Sequence, residues 1–406
     1  MFGWEFPPYN SGGLGVACEG LTRALHDEGA IINFVLPKKV SIEANHLTFL
    51  FADENIYSEK FTTGLLNAYI TEKNYNDALF GLTAEERMRY GSDLFHQVRM
   101  YSFNAKKIAK ETDFDIIHAH DWLTFGAGIN AKKISGKPFV AHIHNTVFDR
   151  GGGVGINEGE YAIEKEGLTK ADKIIAVSHY TKQKVVKHYG IAPEKIEVIH
   201  NGIREEVINI EKLEHDITEF KKHKYKIVSF LGRITLQKGP DYFVRVAKKV
   251  IDIYPKKVLF LMAGSGDMER QMIREASYLG LSDKFIFTGF LRGEEQQKIF
   301  HLSDLFVMPS VSEPFGIVPL EALLMDTPVL ISKQSGVSEV LNHALKVDFW
   351  DIDEMANKII SVLENQSLSK HLAENGKKEA RFLSWEKAAR KCMVLYENLI
   401  EHNSFS

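Results

Sequence analysis

The sequence predicts an α/β protein of two domains, each a parallel sheet with helices on both sides. Three observations predict it. Short apolar runs alternate with amphipathic stretches along nearly all of the 406 residues, the order that produces βαβ units. The runs are continuous rather than alternating, as strands buried on both faces require. The chain is also too long for one ordinary core. A charged stretch at 203–225, without a strand signal, separates halves of similar size. The expected domains are 1–203 and 204–383.

The elements follow in order. "MFGWEF" offers about four residues before Pro7 and Pro8, so its strand is expected to be short or to begin upstream. The next helix should bury Val16, Leu21 and Leu25. Strands are expected at 31–37, 47–51, 115–120, 138–144, 173–178 and 195–201. The polar and aromatic stretch 52–92 is expected to lie over a sheet edge, with helices at 58–69 and 84–104. Second-half strands are expected at 226–232, 257–264, 285–290, 305–310 and 328–332. Between the first two, "DYFVRVAKKVIDIY" turns Phe243, Ala247, Val250, Ile251 and Tyr254 to one helical face.

Composition excludes several classes. Apolar content of 44% and charged content of 26% suit a soluble globular protein. A net charge of −4, spread along the chain, excludes the basic footprint of a nucleic-acid binder. Cys18 and Cys392 are the only cysteines, too few for a disulfide framework and suited to a reducing cytoplasm. No apolar run reaches the ~18 residues of a membrane span. "MFGWEFPPYN" lacks the basic start and apolar stretch of a signal peptide. A cytoplasmic location is expected.

In open parallel sheets ligands bind beyond the carboxyl ends of strands, so candidates are the residues that follow strands. After the first comes "PPYNSGGLG". Gly12 and Gly13 leave amides open at a helix N-terminus, which suits a phosphate; a plain tight turn explains them equally. "GSG" at 264–266 lacks a third spaced glycine and reads as a turn. "GRITLQKG" sets Arg233 and Lys238 on a glycine-flanked loop, where two cations can neutralise a diphosphate; a solvated surface pair is the alternative.

"SEPFGIVPLEALLM" (312–325) is more specific. Pro314 and Gly316 keep Glu313 off the helix, at its mouth, while Glu321 lies in the early helix. Amides near Gly316, Ile317 and Val318 point out of the helix end and favour an anion. Carboxylates accept hydrogen bonds from hydroxyls. The combination suits a nucleoside-diphosphate sugar: cations and helix end for phosphates, one glutamate for sugar hydroxyls, the other for ribose. Acids that merely favour the helix dipole explain the carboxylates but not the Pro-Phe-Gly between them.

"HAHDW" (118–122) and "HIHNT" (142–146) end successive strands of the first half. His120, Asp121, His144 and Asn145 are expected to face the ligand cleft. Zinc is conceivable from four histidines, but His-x-His on one strand supplies two ligands with no third indicated. No metal site is expected.

Arg233 and Lys238 followed by "EPFGIVPLE" resemble the donor site of the retaining glycosyltransferases of family 4 and of the related glycogen and starch synthases. "HAHDW" and "HNT" resemble the acceptor-domain motifs of that clan, and "GVSEVL" (336–341) its segment after the penultimate strand. "SWEKAARKCMVLYENLI" resembles its closing helix, with Trp385, Ala389, Cys392, Leu395 and Leu399 on the apolar face. The resemblance implies the GT-B fold: two Rossmann-like domains facing a cleft, with 384–406 crossing back to the first domain. One departure stands out. Bacterial glycogen synthases carry Lys-x-Gly-Gly near the start; Asn10 occupies the lysine position here, which favours a family 4 enzyme over a bacterial glycogen synthase and argues against ADP-glucose as the donor.

The resemblance further implies transfer of glucose or a similar hexose, with retention, from a nucleoside-diphosphate sugar to a hydroxyl acceptor. An α-glucan is among the candidate acceptors, and no metal cofactor is required. Arg233 and Lys238 would stabilise the departing diphosphate, Glu313 would hold sugar hydroxyls and Glu321 the ribose. Phe315, Gly316, Ile317 and Val318 would line the donor, with Leu291 giving a backbone contact to the base. His120 would touch the sugar near its reacting carbon, and Asp121, His144 and Asn145 would lie on the acceptor side. A nucleotide-sugar 2-epimerase and a non-catalytic sugar-nucleotide-binding subunit are the competing readings.

Overall fold

The computed structural model describes residues 1–9, 12–53, 93–153, 155–204 and 225–404. The helix expected at 58–69, the first part of that expected at 84–104, most of the charged break and the Asn10–Ser11 pair lie outside them. The chain divides into two compact units. One comprises Met1–Val147, Ile156–Gly202 and Ser384–Ser406; the other comprises Phe148–Gly155 and Ile203–Leu383.

The first unit contains β1 (Asn33–Leu36), β2 (Thr48–Phe51), β3 (Ile117–His120), β4 (Phe139–Ile143), β5 (Lys173–Ala176) and β6 (Ile196–Val198). β1 pairs with β2, and β3 to β6 pair in chain order, all in parallel. The expected first strand contracts to Phe2, which bridges Val35 of β1 on one side and Ala119 of β3 on the other. This short link joins the two sets of strands and makes the order reverse there. β2 was expected to be buried on both faces but is partly exposed along its length; among the described residues it pairs only with β1.

Among the described residues, the helices of this unit are α1 (Gly13–Asp27), α2 (Leu94–Glu111), α3 (Trp122–Ser135), α5 (Glu158–Lys170) and α6 (His179–Tyr189), and the short α4 (Val147–Arg150) begins at its boundary. α4 carries the chain out of the first unit. In α1 the buried stripe runs through Leu14, Ala17, Cys18, Leu21 and Leu25. Val16, expected inward, is 38% exposed, since about 100° per residue carries it away from that stripe.

The second unit holds β7 (Lys226–Leu231), β8 (Val258–Ala263), β9 (Phe285–Gly289), β10 (Leu305–Met308), β11 (Val329–Ser332) and β12 (Leu345–Val347). Their order is β12-β11-β10-β7-β8-β9, all parallel. The chain thus winds outward twice from the β7–β10 pair, the doubly wound topology whose switch point lies between those strands. Its helices among the described residues are α7 (Pro240–Ile253), α8 (Glu269–Tyr278), α9 (Glu294–Leu302), α10 (Val318–Leu324), α11 (Ile352–Glu364) and α12 (Gln366–Phe382). The expected face of α7 is inward: Phe243 lies 5.6 Å from the ring of Phe230, 5.6 Å from Phe260 and 5.7 Å from Phe285. Truncating such a ring to Ala costs about 3–5 kcal/mol.

The last helix, α13 (Trp385–Ser404), returns to the first unit. Trp385 packs on α1 so closely that a Cβ at Gly20 would approach it to 2.3 Å. Trp385, Ala389, Cys392 and Leu395 are buried and Leu399 is half-buried. Among the described residues no helix is long and apolar enough to cross a membrane.

Candidate functional site

The loops leaving β7 and β10 are neighbours because their strands pair at the switch point, Leu305 against Val228 and Phe306 against Ser229. The β7 loop carries Arg233 and ends in a 3-10 turn, Leu236–Lys238, closed by Gly239 at φ 65°. A Cβ at Gly239 would also lie 2.2 Å from the Pro309 carbonyl oxygen, so glycine permits both the left-handed backbone and the contact between loops. This closeness brings the Lys238 Nζ to 2.5 Å from a carboxylate oxygen of Glu313, 75 residues away.

Glu313 is itself fixed. Ser310 donates to the same carboxylate oxygen at 3.2 Å. The Glu313 amide donates to the Gln334 carbonyl, and its own carbonyl accepts from the Gly336 amide, both at 2.9 Å. Gly316, at φ 104°, turns the chain into α10. Glu313 was expected off the helix, at its mouth, as a loop residue rather than core; it is off the helix but buried. Arg233 donates from Nη2 to the Gln237 side-chain oxygen at 3.1 Å. Glu321, in the first turn of α10, accepts from Gln296 Nε2 at 2.6 Å.

The other donor-side expectations divide. Gly316, Ile317 and Val318 form the entry to α10. Phe315 turns its side chain into the core. Leu291 packs against the cluster of Ile227, Leu261, Ala263 and Ile299, leaving only its backbone for the expected contact. In the first unit a Cβ at Gly13 would meet nothing within 4 Å. The α1 N-terminus already holds an anion, since the Gly15 amide donates to the Glu5 carboxylate at 3.0 Å. That carboxylate works against a phosphate beside Gly12 and Gly13.

"GSG" is more than a turn. A Cβ at Gly264 would lie 1.9 Å from the Gly232 oxygen, and one at Gly266 2.2 Å from that of Ile234. With the Ile234 amide donating to Ser265 O at 2.9 Å, these glycines form the shelf under the Arg233 loop. Gln237, Ser310 and Ser312 were also missed: the partners that join Gln237 to Ser312 and Ser312 to Asp149 are distant in sequence, and Ser310, though only three residues from Glu313, carries no charge to mark it.

In the first unit His120 of β3 lies opposite His142 of β4, and four buried imidazoles cluster. His118 shares a hydrogen bond with His142 at 3.1 Å and His120 with His144 at 3.0 Å. His118 also bonds the Tyr396 hydroxyl of α13. The reading that His-x-His finds no third ligand needs correcting: parallel pairing brings His142 beside His118 and His120, with ligand atoms all within 4.8 Å of one another. Asp121, at φ 60° and ψ 173°, holds the end of β4, accepting from the His144 amide at 2.6 Å and the Asn145 amide at 3.2 Å. Asp121 thus orders His144 and Asn145 through their backbone amides.

Burial, reinforced by neighbouring imidazoles, pushes His118, His120 and His142 well below the ordinary histidine range. Burial pushes His144 down to about 3. The unfolded chain takes up protons near pH 6.5 that the folded chain refuses, so this stability is present above that pH and is lost as pH falls towards 3. Each histidine contributes a slope of up to ~1.4 kcal/mol per pH unit. Denaturant unfolding at pH 7, 6 and 5 should show the decline, and His142→Gln should flatten it. A wild-type profile without a slope would contradict the assignment.

The second unit therefore offers two cations and two carboxylates at a switch point, able to bind a polyhydroxylated diphosphate. Comparison with known proteins bears on the family and the fold. The model of the group 1 glycosyl transferases matches residues 211–379, and that of glycosyltransferase family 4 matches 79–207. The chain is 28% identical to an uncharacterized glycosyltransferase of Methanocaldococcus jannaschii, over 99% of this chain and 98% of that one. It is 24% identical to glycogen synthase of Mycobacterium tuberculosis, over 98% and 93%. Among solved structures, Anabaena HepE in complex with UDP-glucose superposes with a TM-score of 0.72 at 17% identity, covering 98% of each chain; that likeness establishes the fold.

Proposed function

We propose that this chain, which belongs to the family 4-type glycosyltransferases of GT-B fold and is related to the glycogen synthases, transfers a hexose with retention from a nucleoside-diphosphate sugar to a hydroxyl acceptor. The observation that carries this reading is the convergence of Arg233, Lys238 and Glu313 on the β7 and β10 loops. The acceptor oxygen bonds to the anomeric carbon from the face the diphosphate leaves, and the acceptor proton passes to the departing phosphate oxygen. Arg233 and Lys238 take up the charge developing on that oxygen. Glu313 accepts hydrogen bonds from sugar hydroxyls and Glu321 from the ribose. We assign His120 to the sugar near its reacting carbon, and His144 and Asn145, ordered by Asp121, to the acceptor.

The test is to incubate the protein with UDP-, ADP- and GDP-glucose and follow nucleotide release with and without α-glucan or small hydroxyl acceptors. UDP-glucose comes first because HepE was crystallised with it. Acceptor-dependent release supports transfer. An epimerised sugar without acceptor would replace it with a 2-epimerase, and binding without turnover with a non-catalytic subunit. Since the charge is taken up by two side-chain cations, excess chelator should leave turnover unchanged. Loss that Mg²⁺ or Mn²⁺ restores would overturn that assignment.

A further inference from the structure

We infer that Gln237 is a positioning residue that locks the phosphate-binding cation to the loop bearing Glu313. Its carboxamide faces both ways. The oxygen accepts from Arg233 Nη2 at 3.1 Å, and the nitrogen donates to the Ser312 carbonyl at 3.1 Å. Its backbone oxygen accepts from the Val311 amide at 2.9 Å. Gln237 is buried, so water does not compete for these bonds, and its carboxamide can accept from a guanidinium through one atom while donating to a carbonyl through the other. Ser312 is pinned from its other side, its hydroxyl donating to the buried Asp149 at 2.5 Å. Asp149 belongs to the short segment Phe148–Gly155 that joins the second unit, where Gly152 packs on Leu236 beside Gln237. Arg233 and the residue preceding Glu313 thus have one common tether.

The inference rests on the donor-site reading. Its function is registration: a displacement of about 1 Å between charge and reacting group costs on the order of 100-fold in rate. The test is a double-mutant cycle on donor kcat/KM with Gln237→Met and Arg233→Ala. Gln237→Met, of similar shape, should lower kcat/KM by about 10- to 100-fold in the wild-type background and by at least about 5-fold less in the Arg233→Ala background. The same factor in both backgrounds would show a purely structural role and overturn the inference, as would an unchanged kcat/KM. Thermal midpoints are measured alongside, and Gln237→Leu repeats the cycle if Met impairs folding. Wild-type protein that binds no nucleoside diphosphate overturns the donor-site reading and this one together; an active wild type with equal factors overturns this one alone.

Discussion

Glu313→Gln should reduce turnover by about 10²–10³-fold, the scale of losing one preorganised charged partner in a transition state. Glutamine keeps the length of the side chain and leaves its backbone bonds to Gln334 and Gly336 intact. What disappears is the charge that accepts from Lys238 and Ser310. Because Glu313 is buried, the fold needs its own control. One kcal/mol moves the melting midpoint of a unit of this size by about 2–4 °C, so a shift of a few degrees cannot account for a hundredfold loss at 25 °C. Diphosphate affinity separates two roles. If Glu313 holds sugar hydroxyls, UDP should bind the variant as well as wild type or more tightly, since Lys238 is released from a competing anion. Weaker UDP binding would mean that Glu313 acts by orienting Lys238. Wild-type turnover in Glu313→Gln would remove the residue from the site.

Legibility followed the range of the interactions. The β7 strand could be read within a residue of its ends because Lys226–Leu231 carries its own local signal, with Ile227, Val228, Phe230 and Leu231 apolar. Phe2 could not be read as a one-residue link, since its pairing with Val35 and Ala119 is tertiary. Val16 was misplaced because an apolar residue was counted without fixing its angle on the helix. In the site, Arg233, Lys238 and Glu313 stood out by charge beside glycine and proline. Gln237 lay in the same motif, but its partner Ser312 is 75 residues on, and only the pairing of β7 with β10 joins them. The third histidine is the same case: "HIHNT" was visible, but its register against "HAHDW" is set by the sheet.

Arg233→Ala and Lys238→Ala should each weaken nucleoside-diphosphate binding at least ~10-fold. A charge-assisted hydrogen bond to phosphate contributes ~1.5–3 kcal/mol, more when shielded from water. The Lys238 side chain is 20% exposed, so part of its charge is shielded. Its ammonium carries three donors; the one engaged with Glu313 leaves others for a phosphate. Charge on the leaving oxygen is greater in the transition state than in the bound donor, so turnover should fall further than affinity. The two cations share one ligand, so the double mutant should lose less than the product of the single losses. Calorimetric titration with the diphosphate and with the bare nucleoside tests the assignment, because the nucleoside carries no phosphate and should bind both variants as it binds wild type. Equal weakening of nucleoside and diphosphate would show that Arg233 and Lys238 support the base pocket or the fold, and the phosphate assignment would fall.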